Sequence, residues 1–453
     1  MKRPLILLVN PWIHDFAAYD LWARPMGLLV LGTLLRRRGW EPRLVDCLDV
    51  DHPETAAVKM RPHAHGRFAR TPIPKPEPLK MVPRVYSRYG TAPETVEKDL
   101  ASTSRPDAIL VTSHMTYWYP GVREAVALLR QVFPQVPIIL GGIYATLLPD
   151  HARTHIGADE VLTGPGETAL IRALWRLTGK GDADAGTTDA LECEPALDLM
   201  SRLRFLPLIT SRGCPFRCTY CASRIMVGRY VRRGVTEVIR EVENSRVRYG
   251  VRDVALYDDA FLVDAGSHAL PILEHVAEEL PGMRWHSPNG LHASAIDLRV
   301  ATAMKRAGFE TIRIGLESTS DLFHDETGGK TSLEGFLSAV GNLREAGFST
   351  EQIGVYLLVG VPGQTRAHIE DDIALVLRSG AYPKLAEYSP IPGTQMWNHA
   401  VRACRYPIDR EPLYQNCTLL PAAGHDVDPA FLQVARKRIR DALPAEGTVS
   451  RCR

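Results

Sequence analysis

Three cysteines in the segment "TSRGCPFRCTYCASR" (210–224) could bind a metal: Cys214, Cys218 and Cys221 follow the spacing C-x3-C-x2-C. Thiolates are soft ligands that favour zinc or iron–sulfur clusters. A closed structural zinc site takes four protein ligands, but no histidine or fourth cysteine stands at ligand spacing in this segment. The spacing therefore predicts a [4Fe-4S] cluster that has three protein ligands and one iron open to an exogenous ligand.

Composition indicates the number of domains, the classes of partner and the location of the protein. The 453 residues exceed the usual size of one hydrophobic core, so we expect two domains and a small appendage. A net charge of +2 argues against a nucleic-acid partner held by electrostatics. No segment is apolar enough to span a membrane, and the start, "MKRPLILLVN", is predicted to be a buried strand and not a signal peptide. The other five cysteines are dispersed, which predicts no disulfide framework and a cytoplasmic location.

The first domain is predicted to span residues 1–178. Apolar runs such as 5–10, 107–113 and 136–142 alternate with stretches of helical periodicity, which indicates βαβ units. We therefore expect an α/β fold with a doubly wound, Rossmann-like parallel sheet. Residues 51–100 interrupt it: positions 61–90 hold six prolines and seven Lys or Arg against one acidic residue, which disfavours a regular helix. This insertion is either a solvated loop or a lid over an anionic cofactor or substrate.

A second domain is predicted over residues 200–400, after a linker at 179–199 rich in Gly, Ala, Asp and Thr. Six strand–helix repeats favour a partial (β/α)6 barrel of the TIM type, in which the carboxyl ends of the strands form the active face. Polar or flexible residues stand at those predicted ends, including Cys214, Asp258, Asp259 and Glu317. Residues 401–453 are predicted to form a helical cap.

With Tyr220 before its last cysteine, the C-x3-C-x2-C motif resembles that of the radical S-adenosylmethionine (SAM) enzymes. The resemblance covers roughly residues 200–400. It implies that the open iron binds SAM, and that reductive cleavage of SAM gives a 5'-deoxyadenosyl radical. It also implies an electron donor such as flavodoxin or ferredoxin. By the same resemblance, Tyr220 belongs to the SAM site, and Asp258 and Asp259 contact the SAM amino group. Glu317 lies near the ribose or carboxylate, and Val361, Pro362 and Gly363 lie against the adenine.

The first domain resembles the cobalamin-binding domains that precede the barrel in one class of radical SAM enzymes. The resemblance implies that loops at strand ends flank the nucleotide tail of cobalamin, with contacts at Ser113, Gly141, Gly142, Gly164, Gly166 and Glu167. The sequence contains no D-x-H-x-x-G, so no histidine is identified as the lower cobalt ligand, and Tyr144 replaces a histidine common in the family. A domain that only scaffolds the barrel or holds substrate is the alternative.

These resemblances imply a cobalamin-dependent radical SAM methylase that methylates an unactivated carbon of a small-molecule or peptide substrate. A non-methylating radical cyclase or rearrangement enzyme with the same domains is the alternative within catalysis. A methylthiotransferase would need a second cluster, and a cobalamin or SAM sensor would not need the complete set of barrel motifs.

Overall fold

A computed structural model describes residues 3–58, 60–181 and 193–443. The chain divides into two compact units, one formed by residues 1–60 and 65–203 and the other by residues 61–64 and 204–453. Most of the predicted linker (182–192) and the end of the predicted cap (444–453), with Cys452, lie outside the described residues.

The first unit is built on a five-stranded parallel sheet with the order β5-β4-β3-β1-β2. Its strands are β1 Leu5–Asn10, β2 Glu41–Asp46, β3 Ala108–Val111, β4 Ile138–Leu140 and β5 Glu160–Val161. β1 is buried along its whole length, as its continuous apolar run predicts for a strand covered on both faces. The order reverses between β1 and β3, and ligands bind at such a switch point in doubly wound sheets.

Helices of this unit follow the strands in the alternation expected of βαβ units. They are Met26–Arg37, Pro93–Ser102, Tyr119–Val132, Ile143–Leu147, Pro149–His155 and Glu167–Thr178. The predicted doubly wound sheet is therefore confirmed, although several strands are shorter than the apolar runs that predicted them.

The proline-rich part of the insertion forms no α-helix in its described residues, as its composition predicts. Ser87–Tyr89 is the central strand of a three-stranded antiparallel sheet and pairs with Ile13–Asp15 on one side and Arg70–Pro72 on the other. Gly66–Arg67 pairs with Tyr19–Asp20. The segment is therefore an ordered part of the chain and not only a solvated loop.

The second unit contains a six-stranded parallel sheet in which each strand pairs with the next along the chain. Its strands are β6 Leu206–Leu208, β7 Asp253–Leu256, β8 Arg284–His286, β9 Phe309–Glu317, β10 Ile353–Val359 and β11 Tyr382–Glu387. This consecutive order is that of the predicted six-repeat partial barrel. β6 ends at Leu208, and Ser211–Arg212 pairs instead with Val231–Arg232 in an antiparallel ribbon.

Helices follow the strands of this second sheet and pack against it. They are Ser223–Val227, Val235–Tyr249, Ala269–Glu279, Leu298–Ala307, Asp321–Thr327, Leu333–Glu345, Arg366–Arg378, Trp397–Ala403 and Pro429–Ala442. No helix in the described part of the chain is long and apolar enough to cross a membrane.

Candidate active site

The structure brings the three predicted ligands together on the loop between Ser211–Arg212 and the helix that begins at Ser223. Cys214, Cys218 and Cys221 line one cavity of about 290 Å³. Burial raises the pKa of the Cys214 thiol to about 11 and raises that of Cys221 as well. Metal ligation requires the thiolate, so cluster binding must displace these protons. Arg217 and Arg224 also line the cavity, and their positive charge complements an anionic cluster.

Backbone contacts fix the shape of this loop. The Thr219 N–H donates to the Thr327 carbonyl at 3.1 Å, and the Met396 N–H donates to the Thr219 carbonyl at 2.9 Å. Gly213, at the entry to the loop, has a φ of 77°, and a Cβ there would lie 2.6 Å from the Arg229 carbonyl oxygen. The loop therefore requires a glycine at this turn.

A histidine that the sequence spacing did not reveal lies next to the first cysteine. Nε2 of His292 is 3.9 Å from Sγ of Cys214, although 78 positions separate the two residues. Its ring packs on Phe216, with the ring centroids 4.5 Å apart. Burial lowers the pKa of His292 to about 4, so the ring is neutral at physiological pH.

The two predicted acidic SAM contacts have different surroundings. Asp258 is buried, and its carboxylate accepts hydrogen bonds from the Thr210 N–H (3.0 Å), the Thr210 hydroxyl (2.7 Å) and the Ser211 hydroxyl (2.6 Å). Asp259 is exposed, and its Oδ2 accepts one hydrogen bond from the Ser223 hydroxyl at 2.6 Å. Asp258 thus joins the ends of β6 and β7, whereas Asp259 retains an oxygen for a bound ammonium.

Glu317, the predicted contact at the ribose or carboxylate of SAM, forms a nearly buried ion pair. Its Oε1 lies 2.6 Å from Nζ of Lys330, a residue that the sequence analysis did not single out. Glu317 has a φ of 71°, which is unusual for a non-glycine residue, at a register shift between β9 and β10. Burial alone would lower the pKa of Lys330, but Glu317 and the nearby Cys218 and Cys221 raise it, so this cation faces the cysteine loop.

The predicted adenine contacts follow β10 directly. Val361 is buried against Tyr388 and Ala400, with Tyr220 packed on the same cluster. The Gln364 side chain closes the turn, because its Oε1 accepts from the Gly360 N–H and its Nε2 donates to the Leu358 carbonyl. Pro362 is half-buried and Gly363 is exposed, with no atom within 4 Å of the position of an added Cβ. The turn is therefore rigid and leaves space beside its glycine.

In the first unit, Ser113, Gly141 and Gly142 meet at the carboxyl edge of β3 and β4. The Ser113 hydroxyl donates to the Gly141 carbonyl at 2.7 Å and accepts from the Ala145 N–H at 3.2 Å. A Cβ at Gly142 would lie 2.4 Å from the Ser113 carbonyl oxygen, whereas one at Gly141 would meet no atom within 4 Å. Packing within the chain therefore explains glycine at 142, while the open space beside Gly141 suits a ligand.

Gly164, Gly166 and Glu167 continue this edge from β5 into the helix Glu167–Thr178. The Gly164 N–H donates to the Thr146 hydroxyl at 3.0 Å, and Gly164 has a φ of 67°. An added Cβ at Gly164 would meet no atom within 4 Å, and one at Gly166 would approach only the Gly164 carbonyl at 3.9 Å. The three predicted strand-end loops thus share one edge and leave room beside their glycines for a group to lie against the backbone.

Comparison with known families decides what these two units are. Residues 208–376 match the model of the radical SAM superfamily. Residues 85–174 match the model of the B12 binding domain. The chain carries a radical SAM domain and a B12-binding domain. The resemblances inferred from the cysteine motif and from the glycine-rich loops are therefore confirmed, and with them the cofactors of the two domains, a [4Fe-4S] cluster, SAM and cobalamin.

Similar proteins are found at low identity. An uncharacterized methyltransferase of Pyrococcus horikoshii is 24% identical over 69% of this chain and 74% of its own length. The hopanoid C-3 methylase of Methylococcus capsulatus is 24% identical over 87% of this chain and 72% of its own length. The structure of the radical SAM methyltransferase TsrM of Kitasatospora setae, with tryptophan and a SAM analogue bound, matches 98% of this chain and 89% of its own with a TM-score of 0.67 at 17% identity. This last likeness establishes the fold of the radical SAM and B12-binding units.

The residues of the radical SAM domain fit its cofactors. Three thiols line one cavity at the active face, and Asp259 and Lys330 offer opposite charges that suit the ammonium and carboxylate of an amino acid such as the methionine part of SAM. His292 and Lys330 were missed because no local spacing connects them with the cysteines. The only sequence signal available for Lys330 was its place in the loop that follows Glu317.

Proposed function

We propose that this protein is a cobalamin-dependent radical SAM methyltransferase that methylates an unactivated carbon of a small-molecule or peptide substrate. The observation that carries the proposal is the presence of both domain types in one chain, each with its predicted binding loops gathered at one edge of a sheet. Two relatives, which match 69% and 87% of the chain, are named a methyltransferase and a methylase.

When bound, the cofactors supply a carbon-centred radical from SAM at the cluster and a transferable methyl group on cobalamin. The chain binds and orients them. Cys214, Cys218 and Cys221 hold the cluster by three of its irons. Asp259 would accept hydrogen bonds from the SAM ammonium, and Lys330, held by Glu317, would pair with the SAM carboxylate. The turn at 361–363 would bind the adenine.

The proposal is tested without knowledge of the substrate. Anaerobically reconstituted protein should contain four irons and four sulfides per chain and should bind cobalamin. Under reducing conditions, with cobalamin as the methyl acceptor, it should convert SAM into S-adenosylhomocysteine. Formation of 5'-deoxyadenosine without S-adenosylhomocysteine would contradict methylation and favour a radical cyclase or rearrangement enzyme. A protein that holds no cobalamin would reduce the first domain to a scaffold.

The first domain should hold cobalamin without a histidine on the lower face of cobalt. His114 lies at the edge formed by the cobalamin loops, but its Nε2 is within 3.1 Å of Oδ1 of Asn10 and its side chain is thereby engaged. Electron paramagnetic resonance of the cobalt(II) form should therefore show no nitrogen superhyperfine splitting. Splitting that disappears in His114→Ala would identify a histidine ligand and contradict this prediction.

A further inference from the structure

His292 is a buried histidine of the radical SAM domain that stands beside a cluster ligand. It lies after β8, where Leu291 bridges to Ile314 of β9 and fixes the segment at the carboxyl end of the sheet. Only 5% of its surface is exposed. Nε2 lies 3.9 Å from Sγ of Cys214, within reach of a hydrogen bond to sulfur, and no described group bonds to the buried Nδ1.

The unequal surroundings of the two nitrogens select one tautomer. A neutral imidazole carries its proton on one nitrogen only. A proton on Nδ1 would leave a buried N–H donor without an acceptor, which is rarer and more costly than a buried acceptor without a donor. A proton on Nε2 is instead directed at the sulfur of Cys214. The packing of the ring on Phe216 holds this orientation.

We propose that His292 donates an Nε2–H···S hydrogen bond to the Cys214 thiolate of the assembled cluster and thereby raises the reduction potential of that cluster. The proposal rests on the proposed cluster at the three cysteines. Reduction adds one negative charge to the cluster, so a donor to a ligating sulfur stabilises the reduced form more than the oxidised form. His292 is a positioning residue: it acts through the ligand Cys214, at a buried position where water does not replace the hydrogen bond.

Two donor-free variants and one donor-retaining variant separate this role from packing. His292→Phe keeps an aromatic ring against Phe216 but carries no N–H, and His292→Leu removes both ring and donor. His292→Gln places an amide N–H near the position of Nε2. His399→Leu, at an exposed position on the helix Trp397–Ala403, is the matched control.

The measurement is a redox titration of the anaerobically reconstituted full chain without SAM, followed by electron paramagnetic resonance of the reduced cluster, with iron and sulfide analysis of every variant. We expect full cluster content throughout. In the Phe and Leu variants, the equilibrium constant for reduction should fall about tenfold, which is about 59 mV for a one-electron couple. The Gln variant should recover most of this loss, and the control should match the wild type.

An unchanged potential in His292→Phe and His292→Leu at full cluster content would overturn the proposal. Loss of iron from all three His292 variants would overturn it as well, because it would show that His292 is a ligand or is needed to form the loop. A wild-type chain that assembles no cluster would instead refute the proposed function. The readouts therefore distinguish the two failures.

Discussion

Asp253, at the amino end of β7, is predicted to stabilise the base of the radical SAM sheet. Its carboxylate is buried and accepts from Nε of Arg284 at 2.8 Å, and Nε2 of His286 lies 3.0 Å from its Oδ1. Nδ1 of His63 lies 3.6 Å from the same oxygen. Burial alone would raise the pKa of Asp253, but the hydrogen bonds from His286 and Arg284 and the nearby His63 hold it well below its usual range.

The cost of Asp253→Asn follows from these contacts. The bond with the fully buried His286 is charge-assisted and contributes about 2 kcal/mol. The Arg284 side chain is 39% exposed, so solvent screening reduces the contribution of its ion pair with Asp253 to about 1 kcal/mol. Asparagine removes the charge and places an amide N–H2 against these donors. We therefore expect local stability to fall by about 3 kcal/mol, roughly a hundredfold in an opening equilibrium.

Hydrogen exchange of the full chain, followed by mass spectrometry of peptides that cover β7 and β8, measures this loss without assuming that the whole chain unfolds in one step. At pH 7, protection factors in Asp253→Asn should be about a hundredfold lower than in the wild type. Asp264→Asn is the matched control, because Asp264 is 70% exposed in its ion pair with Arg232 and should change protection little.

The pH dependence has a defined sign. An aspartate whose pKa is lowered by folding stabilises the protein above its unfolded pKa of about 3.9, and this contribution is lost as the pH falls through the folded pKa. The difference between wild type and Asp253→Asn should thus be constant above about pH 5 and should shrink by about 1.4 kcal/mol per pH unit below 3.9. A difference in protection that is absent at pH 7, or that grows on acidification, would refute the reasoning.

Three further predictions concern the cofactor sites. Cys221→Ala should abolish SAM cleavage, because three thiolates hold the cluster and none is spare; native-rate formation of 5'-deoxyadenosine would contradict the assignment. Asp259→Asn should weaken SAM binding about tenfold to a hundredfold, because a charge-assisted hydrogen bond contributes about 1.5 to 3 kcal/mol. Asp258→Asn should mainly lower the melting temperature. Equal SAM affinity of Asp259→Asn and wild type in calorimetry would exclude the contact between Asp259 and SAM. Gly141→Ala should weaken cobalamin binding and leave the melting temperature of the apo-protein unchanged. Gly142→Ala should lower that temperature, because its Cβ would lie 2.4 Å from the Ser113 carbonyl oxygen. A stable Gly141→Ala variant with unchanged cobalamin affinity would place the cofactor elsewhere.

The sequence predicts the fold of this chain better than the surroundings of its site residues. Continuous apolar runs and helical periodicity locate the strands of both sheets, because burial on two faces leaves a local signal. Strand ends are less well predicted: the apolar run at 136–142 gives a strand that is in fact Ile138–Leu140, since pairing with β3, and not apolarity, sets its limits.

Side-chain partners formed across the barrel leave no local signal. The motif identifies Asp258 as a polar residue at a strand end. It does not reveal that Asp258 accepts a hydrogen bond from Thr210, which lies 48 positions earlier. Local spacing also gives no sign of His292 as a neighbour of Cys214, since only the folded sheet brings the end of β8 to the cysteine loop. Neighbouring residues of the same type, such as Asp258 and Asp259, therefore differ in their hydrogen-bond partners, and the spacing of residues in the sequence does not predict those partners.

The strand orders of the two sheets have a consequence for synthesis of the chain. In the second sheet each strand pairs with its predecessor, so pairing can follow the chain as it leaves the ribosome. In the first sheet, β1 lies between β2 and β3, and Ile6 pairs with Ala108. One edge of β1 can pair early with β2, but its other edge waits for about a hundred residues to be synthesised, a time of several seconds at the usual rate of translation. The insertion lengthens this wait but adds little to the free energy of closure, which rises by only about 0.6 kcal/mol for each doubling of loop length. One edge of a buried apolar strand is thus left unpaired while the rest of the first sheet is synthesised, and unpaired strand edges are sites of aggregation in nascent chains.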